Sequence, residues 1–203
     1  MWVRRAAIRP VPSYALLMAR ALGEVESELA DTSDDDVGHD GDDGDEGADL
    51  DAYFTEFEER QPALAEHIAL VLGKPLDETA LALGYFLTLA VWLAFDRNFE
   101  GRLEVVGADA VAAVEQSLAL DEELRRLDPA EAVDSDDVVA MEQPHVLAFV
   151  HEHLDAALEV HAGEIDVDDV HAIYRVVLVE VLALSYAVRP PEHYILPKTE
   201  FTA

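Results

Sequence analysis

Apolar positions along this chain fall into two kinds of segment. Some helical stretches carry them on one face, and two carry them all round. The longest run without a charge or a proline is Thr79–Phe95, TALALGYFLTLAVWLAF, 17 residues long. A second near-apolar stretch is Val170–Val188, with IYRVVLVEVLALSYAV at its centre and Pro190-Pro191 as its stop. A helix apolar on every face is either the centre of a soluble bundle or a membrane span. The first run sits at the lower length limit for a span. Asp77 and Glu78 precede it, Asp96 and Arg97 follow it, and Gly84, Thr79 and Thr88 dilute it. No basic cluster marks one side, as a cytoplasmic flank would. The reading is a buried core helix with no membrane contact. A membrane-inserted helical protein is the second alternative.

The amphipathic stretches surround these two. Asp51–Arg60 carries Tyr53, Phe54 and Phe57 on one side. Gln61-Pro62 then opens a helix over Ala63–Leu72, closed by Gly73, with Leu64, Ile68, Val71 and Leu72 as its stripe. Asp77 caps the first apolar helix. Asn98–Ala108, broken by Gly101 and Gly107, reads as irregular. Asp109–Leu127 reads as a helix with Val111, Val114, Leu118, Leu124 and Leu127 inward and Glu122, Glu123, Arg125 and Arg126 outward. Gln143-Pro144 opens another helix, His145 to about His161, with Leu147, Val150, Leu154 and Leu158 as its stripe. Asp166 or Asp168 caps the last helix.

Two segments therefore share a plan: Gln-Pro, an amphipathic helix, a turn, an Asp cap and an apolar helix. They are Gln61–Phe95 and Gln143–Tyr186. The Gln-Pro pairs lie 82 residues apart, and Asp77 and Asp168 lie 91 apart. An offset of 89, aligning Tyr85 with Tyr174, fits almost as well. The predicted fold is all-α, with about six or seven helices in an orthogonal or bundle-like array built from two weakly similar helical hairpins.

The N-terminus reads differently. Residues 1–22 hold four Arg and no acid. A signal peptide opens this way, and Ala19-Arg20-Ala21 resembles a cleavage site. Pro10, Pro12 and Ser13 interrupt the apolar stretch, so the preferred reading is a helix from about Ser13 to Leu29. Ser13 is then its N-cap, with Leu16, Leu17, Arg20 and Leu22 near its packed face. The expected division is a basic segment and helix over 1–30, an acidic Asp/Gly-rich linker over 31–51, a helical domain over 52–190 and a tail over 191–203. The linker has Gly38, Gly41, Gly44 and Gly47 every third residue, but no Gly satisfies the register of a calcium-binding EF-hand loop. It reads as solvated, extended chain.

Charge excludes whole classes of function. The 203 residues carry 44 acids against 13 Lys and Arg, a formal net charge of −31. Glu24–Asp51 holds 14 of those acids, so the rest of the chain is still at −17. Nucleic acid and anionic lipid need clustered Lys and Arg, and only Arg4, Arg5 and Arg9 offer any. A basic partner protein suits this surface. Only Lys74 and Lys198 are lysines. That bias fits a high-salt cytoplasm or an Arg-preferring genome, and cytoplasmic localisation is expected. With no Cys, thiolate metal sites, disulfides and cysteine nucleophiles are excluded.

Candidate chemistry is confined to one region. Five of eight His fall in 145–171: His145, His151, His153, His161 and His171. His153 and His161 are eight residues apart, about 12 Å along a helix, too far to share an ion unaided. Glu142-x-x-His145 has the spacing of di-iron bundles, but Pro144 lies inside it. Glu180 interrupts VVLVEVLAL. A buried carboxylate there needs a partner, such as His153, His161 or an arginine, or a proton. The preferred reading places Glu180 on a narrow exposed seam, with His171 and Arg175 as another polar edge. No phosphate-binding loop or serine elbow is present. No cofactor, metal or catalytic residue is assigned. The expected function is a non-enzymatic helical interaction or regulatory protein. The first alternative is a metal-dependent enzyme or metal-binding bundle using His153, His161, His171 and Glu180.

Overall fold

Seven helices, with no strand among the described residues, make up the computed structural model, which describes residues 12–34, 47–127, 139, 143–161 and 165–190. They are α1 (Pro12–Asp34), α2 (Gly47–Arg60), α3 (Pro62–Leu72), α4 (Glu78–Asn98), α5 (Ala108–Leu127), α6 (Pro144–Val160) and α7 (Val167–Ala187). The all-α bundle expected from periodicity is what forms. Of the acidic segment 31–51, residues 31–34 continue α1 to Asp34 and residues from Gly47 open α2. The expectation for residues 35–46 lies outside the described residues, as does the tail from 191.

The two apolar helices lie side by side and run parallel. At their N-terminal ends, the Asp77 side chain accepts from its own helix at Ala80 N (2.8 Å) and from Asp166 N (3.0 Å). Asp77 N donates to Asp169 Oδ2 at 2.8 Å. At the other end, Leu103 and Val188 form an antiparallel bridge, with Glu104 N donating to Ala187 O. Parallel neighbours place two partial positive helix ends together, which is unfavourable unless anions sit there. Asp77, Glu78, Asp166, Asp168 and Asp169 supply them. Asp166, not Asp168, is the cap of α7, accepting from Asp168 N at 2.8 Å. The caps are thus 89 residues apart, the Tyr85–Tyr174 offset, and the second unit is the longer by 7 residues, two helical turns.

The shared plan extends to the backbone. Gln61 has φ −134° and ψ 56°, and Gln143 has φ −135° and ψ 61°. Each donates its N–H four residues back, to Phe57 O and Val139 O, and each is followed by proline at the first helical position. That position needs no N–H donor, which is why proline is tolerated there.

Midway along the pair, Gly84 of α4 meets α7. A Cβ at Gly84 would stand 2.7 Å from both Ile173 Cδ1 and Leu72 Cδ2. Glycine here permits close approach rather than an unusual backbone conformation. Stepping by whole turns from Gly84 and Ile173 puts Thr88, Val91 and Phe95 opposite Val177, Glu180 and Leu184.

The other helices cover this pair. α1 packs on α4 and α6 through Met18, Ala21, Leu22, Val25 and Leu29. Leu17 and Arg20, placed near the packed face by the sequence reading, turn outward. The helix starts at Pro12, so Ser13 lies in the first turn rather than at the cap. Ion pairs fasten α1 and α2 to the end of α4. Glu28 receives Arg97 through both guanidinium nitrogens (2.7 and 2.9 Å) and also Tyr53. Arg60 pairs with Asp96. The bond from Arg97 chiefly holds the Glu28 carboxyl below the usual range, against the opposing effect of burial.

The Asp knot has a measurable signature. Hydrogen bonding, first from Ala80 N and then from Asp166 N, holds the Asp77 carboxyl below its ordinary range; desolvation opposes this and His161 adds a small favourable charge. A depressed folded-state value means stability present above the ordinary aspartate range and lost as pH falls through the lowered value. Asp77→Ala is expected to cost about 1–2 kcal/mol at neutral pH, as for an N-cap. In urea titrations the gap from wild type should close as pH falls below about 4.

Candidate functional site

The chemistry-bearing residues of 145–171 do not converge. His151 Nε2 lies 2.9 Å from the Tyr174 hydroxyl, tying α6 to α7. His153 Nδ1 is 3.0 Å from Phe149 O and its Nε2 is 3.4 Å from Glu26 of α1. Its ring also packs against Phe86 and Phe149. His161 follows α6 as its C-cap residue, with its N–H on Ala157 O. It sits at the Asp77 end of the bundle. His145 is half-buried at the start of α6, and His171 is exposed. Arg175, expected beside His171 as a polar edge, instead pairs with Glu122 of α5. Among the described residues, no three His, Asp or Glu stand together as metal donors.

Glu180 departs furthest from the sequence reading. It is not on an exposed seam: its exposure is 0%. Every residue from Val176 to Leu184 is buried, so this length of α7 has no solvent-facing side. Among the described residues, neither His153, His161 nor any arginine reaches it, and both carboxyl oxygens lack a hydrogen-bond partner. Burial alone pushes its carboxyl well above the usual range, which favours the neutral acid.

The surface offers a different feature, on α5. Val111, Val114 and Leu118 face the core as expected. Leu124 and Leu127, expected to extend that stripe, do not. They are 49% and 76% exposed, and Leu120 is 54% exposed. At 100° per residue, Leu120, Leu124 and Leu127 share one face, turned away from the core stripe. Asp121 and Glu123 flank this second stripe. Two contacts fix the orientation of α5. Glu122 pairs with Arg175 of α7, and Glu115 lies 3.6 Å from His67 of α3. The signal was present in the sequence: Leu118 and Leu120 are about 200° apart on a helix, so one must face out if the other faces in.

A second residue with an unforeseen role is Gln61. Its side chain is buried, accepts from Val106 N at 2.8 Å and donates to Glu104 O at 3.2 Å. It clamps the segment after α4 to the α2–α3 junction and so sets where α5 begins.

Comparisons with protein-family models, curated proteins and solved structures returned no match.

Proposed function

We propose that this protein is a non-enzymatic, cytoplasmic interaction module that presents the leucine stripe of α5 to a basic, amphipathic segment of a partner protein. The observation that carries this reading is the stripe itself: Leu120, Leu124 and Leu127 on one helical face, each about half exposed or more. Apolar residues at i, i+4 and i+7 match the repeat by which helices dock in grooves. Asp121 and Glu123 at the rim, on a chain of net charge −31, favour Lys and Arg around the partner's apolar face. The same charge opposes a second copy of this chain as the occupant. Burial of most of α4 and α7 within the bundle supports reading them as core helices, although both are long and apolar enough to cross a membrane.

The test uses a Leu/Lys amphipathic peptide of about 18 residues, five turns of helix, and fluorescence anisotropy at physiological salt. Replacing Leu120, Leu124 and Leu127 together by Gln leaves the charge unchanged. It should weaken binding at least tenfold, because each leucine loses on the order of 1 kcal/mol of apolar burial. Equal affinity of wild type and triple variant, or no binding by wild type, sinks the reading. So does a wild-type dimer in sedimentation that the triple variant abolishes, since the stripe would then be a self-interface.

A further inference from the structure

We propose that Glu180 is a proton-held latch: α4 and α7 stay packed only while its carboxyl is neutral, and ionisation loosens this pair. The geometry carries the proposal. Whole turns from the Gly84–Ile173 approach put Glu180 on the α7 face opposite Val91, in the middle of two parallel helices pinned at both ends. It has no exposure and, among the described residues, no partner for either oxygen. A carboxylate placed there would be a buried charge with nothing to offset it.

Among the described residues, no neighbouring group supplies compensation. The described helices that pack most against α7 are α3, α4, α5 and α6. From α4 the facing residues are Gly84, Thr88, Val91 and Phe95, and the Thr88 hydroxyl already donates to Gly84 O. The charged residues at the end of α4, Asp96 and Arg97, are held by Arg60 and Glu28. From α5, Glu122 is held by Arg175, and Glu115 faces His67 of α3. Glu66 of α3 is exposed. From α6, His151 faces Tyr174, and His153 faces Glu26 of α1. On α7 itself Arg175 is five residues away, about 7.5 Å of helical rise, and is engaged elsewhere.

The sign of the pH dependence follows. Burial raises the folded-state value, so the fold holds a proton that the unfolded chain releases. Stability from this group is full below the ordinary glutamate value and declines as pH rises towards the raised one. An alkaline shift is thereby converted into exposure of the facing sides of α4 and α7.

Glu180→Gln keeps the shape and removes the titration, and Glu180→Leu is a second non-titrating reference. Unfolding constants are measured in urea from about pH 6 to 9, in about 1 M salt to screen the surface charge. The ratio of wild type to either variant should rise by up to about tenfold per pH unit. Amide exchange in α4 and α7 should quicken with pH in wild type relative to the variants, ahead of α1 and α5. A ratio that stays flat with pH overturns the latch. Exchange that quickens equally in every helix also overturns it, because ionisation would then cause uniform destabilisation.

Discussion

Trp92→Ala should lower stability by about 3–5 kcal/mol, the range for emptying a buried aromatic site. Trp92 has no exposure and lies on the α4 face towards α2. Its ring centroid is 5.1 Å from that of Phe57, and the Arg60 guanidinium lies 5.8 Å above it. Truncation removes the surface on which α2 rests and leaves a void that the Phe57 ring fills only in part. It also removes the ring beneath Arg60, which is fastened to Asp96. Trp92→Phe is the control. The indole Nε1 is buried with no partner among the described residues, so phenylalanine loses ring volume but also relieves an unsatisfied donor. Its cost should stay below about 1.5 kcal/mol. Urea denaturation of the three proteins checks both values. An alanine variant within about 1 kcal/mol of wild type would mean that α2 does not depend on this contact.

Gly84→Leu should cost about 3 kcal/mol by overpacking the junction of α3, α4 and α7. Alanine alone brings its Cβ to 2.7 Å from Ile173 Cδ1 and Leu72 Cδ2. Those atoms are the ends of movable side chains, and alanine gains helix propensity of about 1 kcal/mol over glycine. Gly84→Ala should therefore be nearly neutral. Leucine adds three more carbons where Ile173 and Leu72 already meet, and both are buried. Relief requires α4 and α7 to separate, which the Asp77–Asp166 bonds at one end and the Leu103–Val188 bridge at the other resist. Thermal midpoints of the three proteins provide the measurement. A leucine variant as stable as the alanine one would show that the close approach is not required.

Much of this architecture was legible because the helices announce their own limits. Gln-Pro pairs and Asp caps are local signals, and they placed the openings of α3 and α6 and the caps of α4 and α7 to within a residue or two; α7 itself begins three residues before Val170 and α4 runs three beyond Phe95. Even the repeat showed, although only contacts across the bundle select the 89-residue offset, through the bonds linking Asp77 with Asp166 and Asp169. Orientation about a helix axis was harder to read. Leu17, Leu124 and Leu127 are apolar residues on periodic helices, yet they face out, because neighbours distant in sequence decide which face is covered. Glu180 shows the same limit from the other side. A lone acid in an apolar helix ordinarily marks a wet edge, and only the packing of whole helices around it leaves no edge. The histidines were conspicuous by number, but the partners of His151, His153 and His67, namely Tyr174, Glu26 and Glu115, lie on three different helices.

The parallel pairing of α4 and α7 has a consequence for how the chain is made. Residues that meet across it, such as Gly84 and Ile173, are 89 positions apart. A ribosome adding about 5–20 residues per second reaches the second partner roughly 5–20 s after the first. Throughout that interval the side of α4 bearing Leu87, Val91 and Phe95 has no cover from its partner. The acids at both ends of α4 and the Asp-rich stretch made before α2 and α3 give the nascent chain a charge that keeps neighbouring copies apart while it waits.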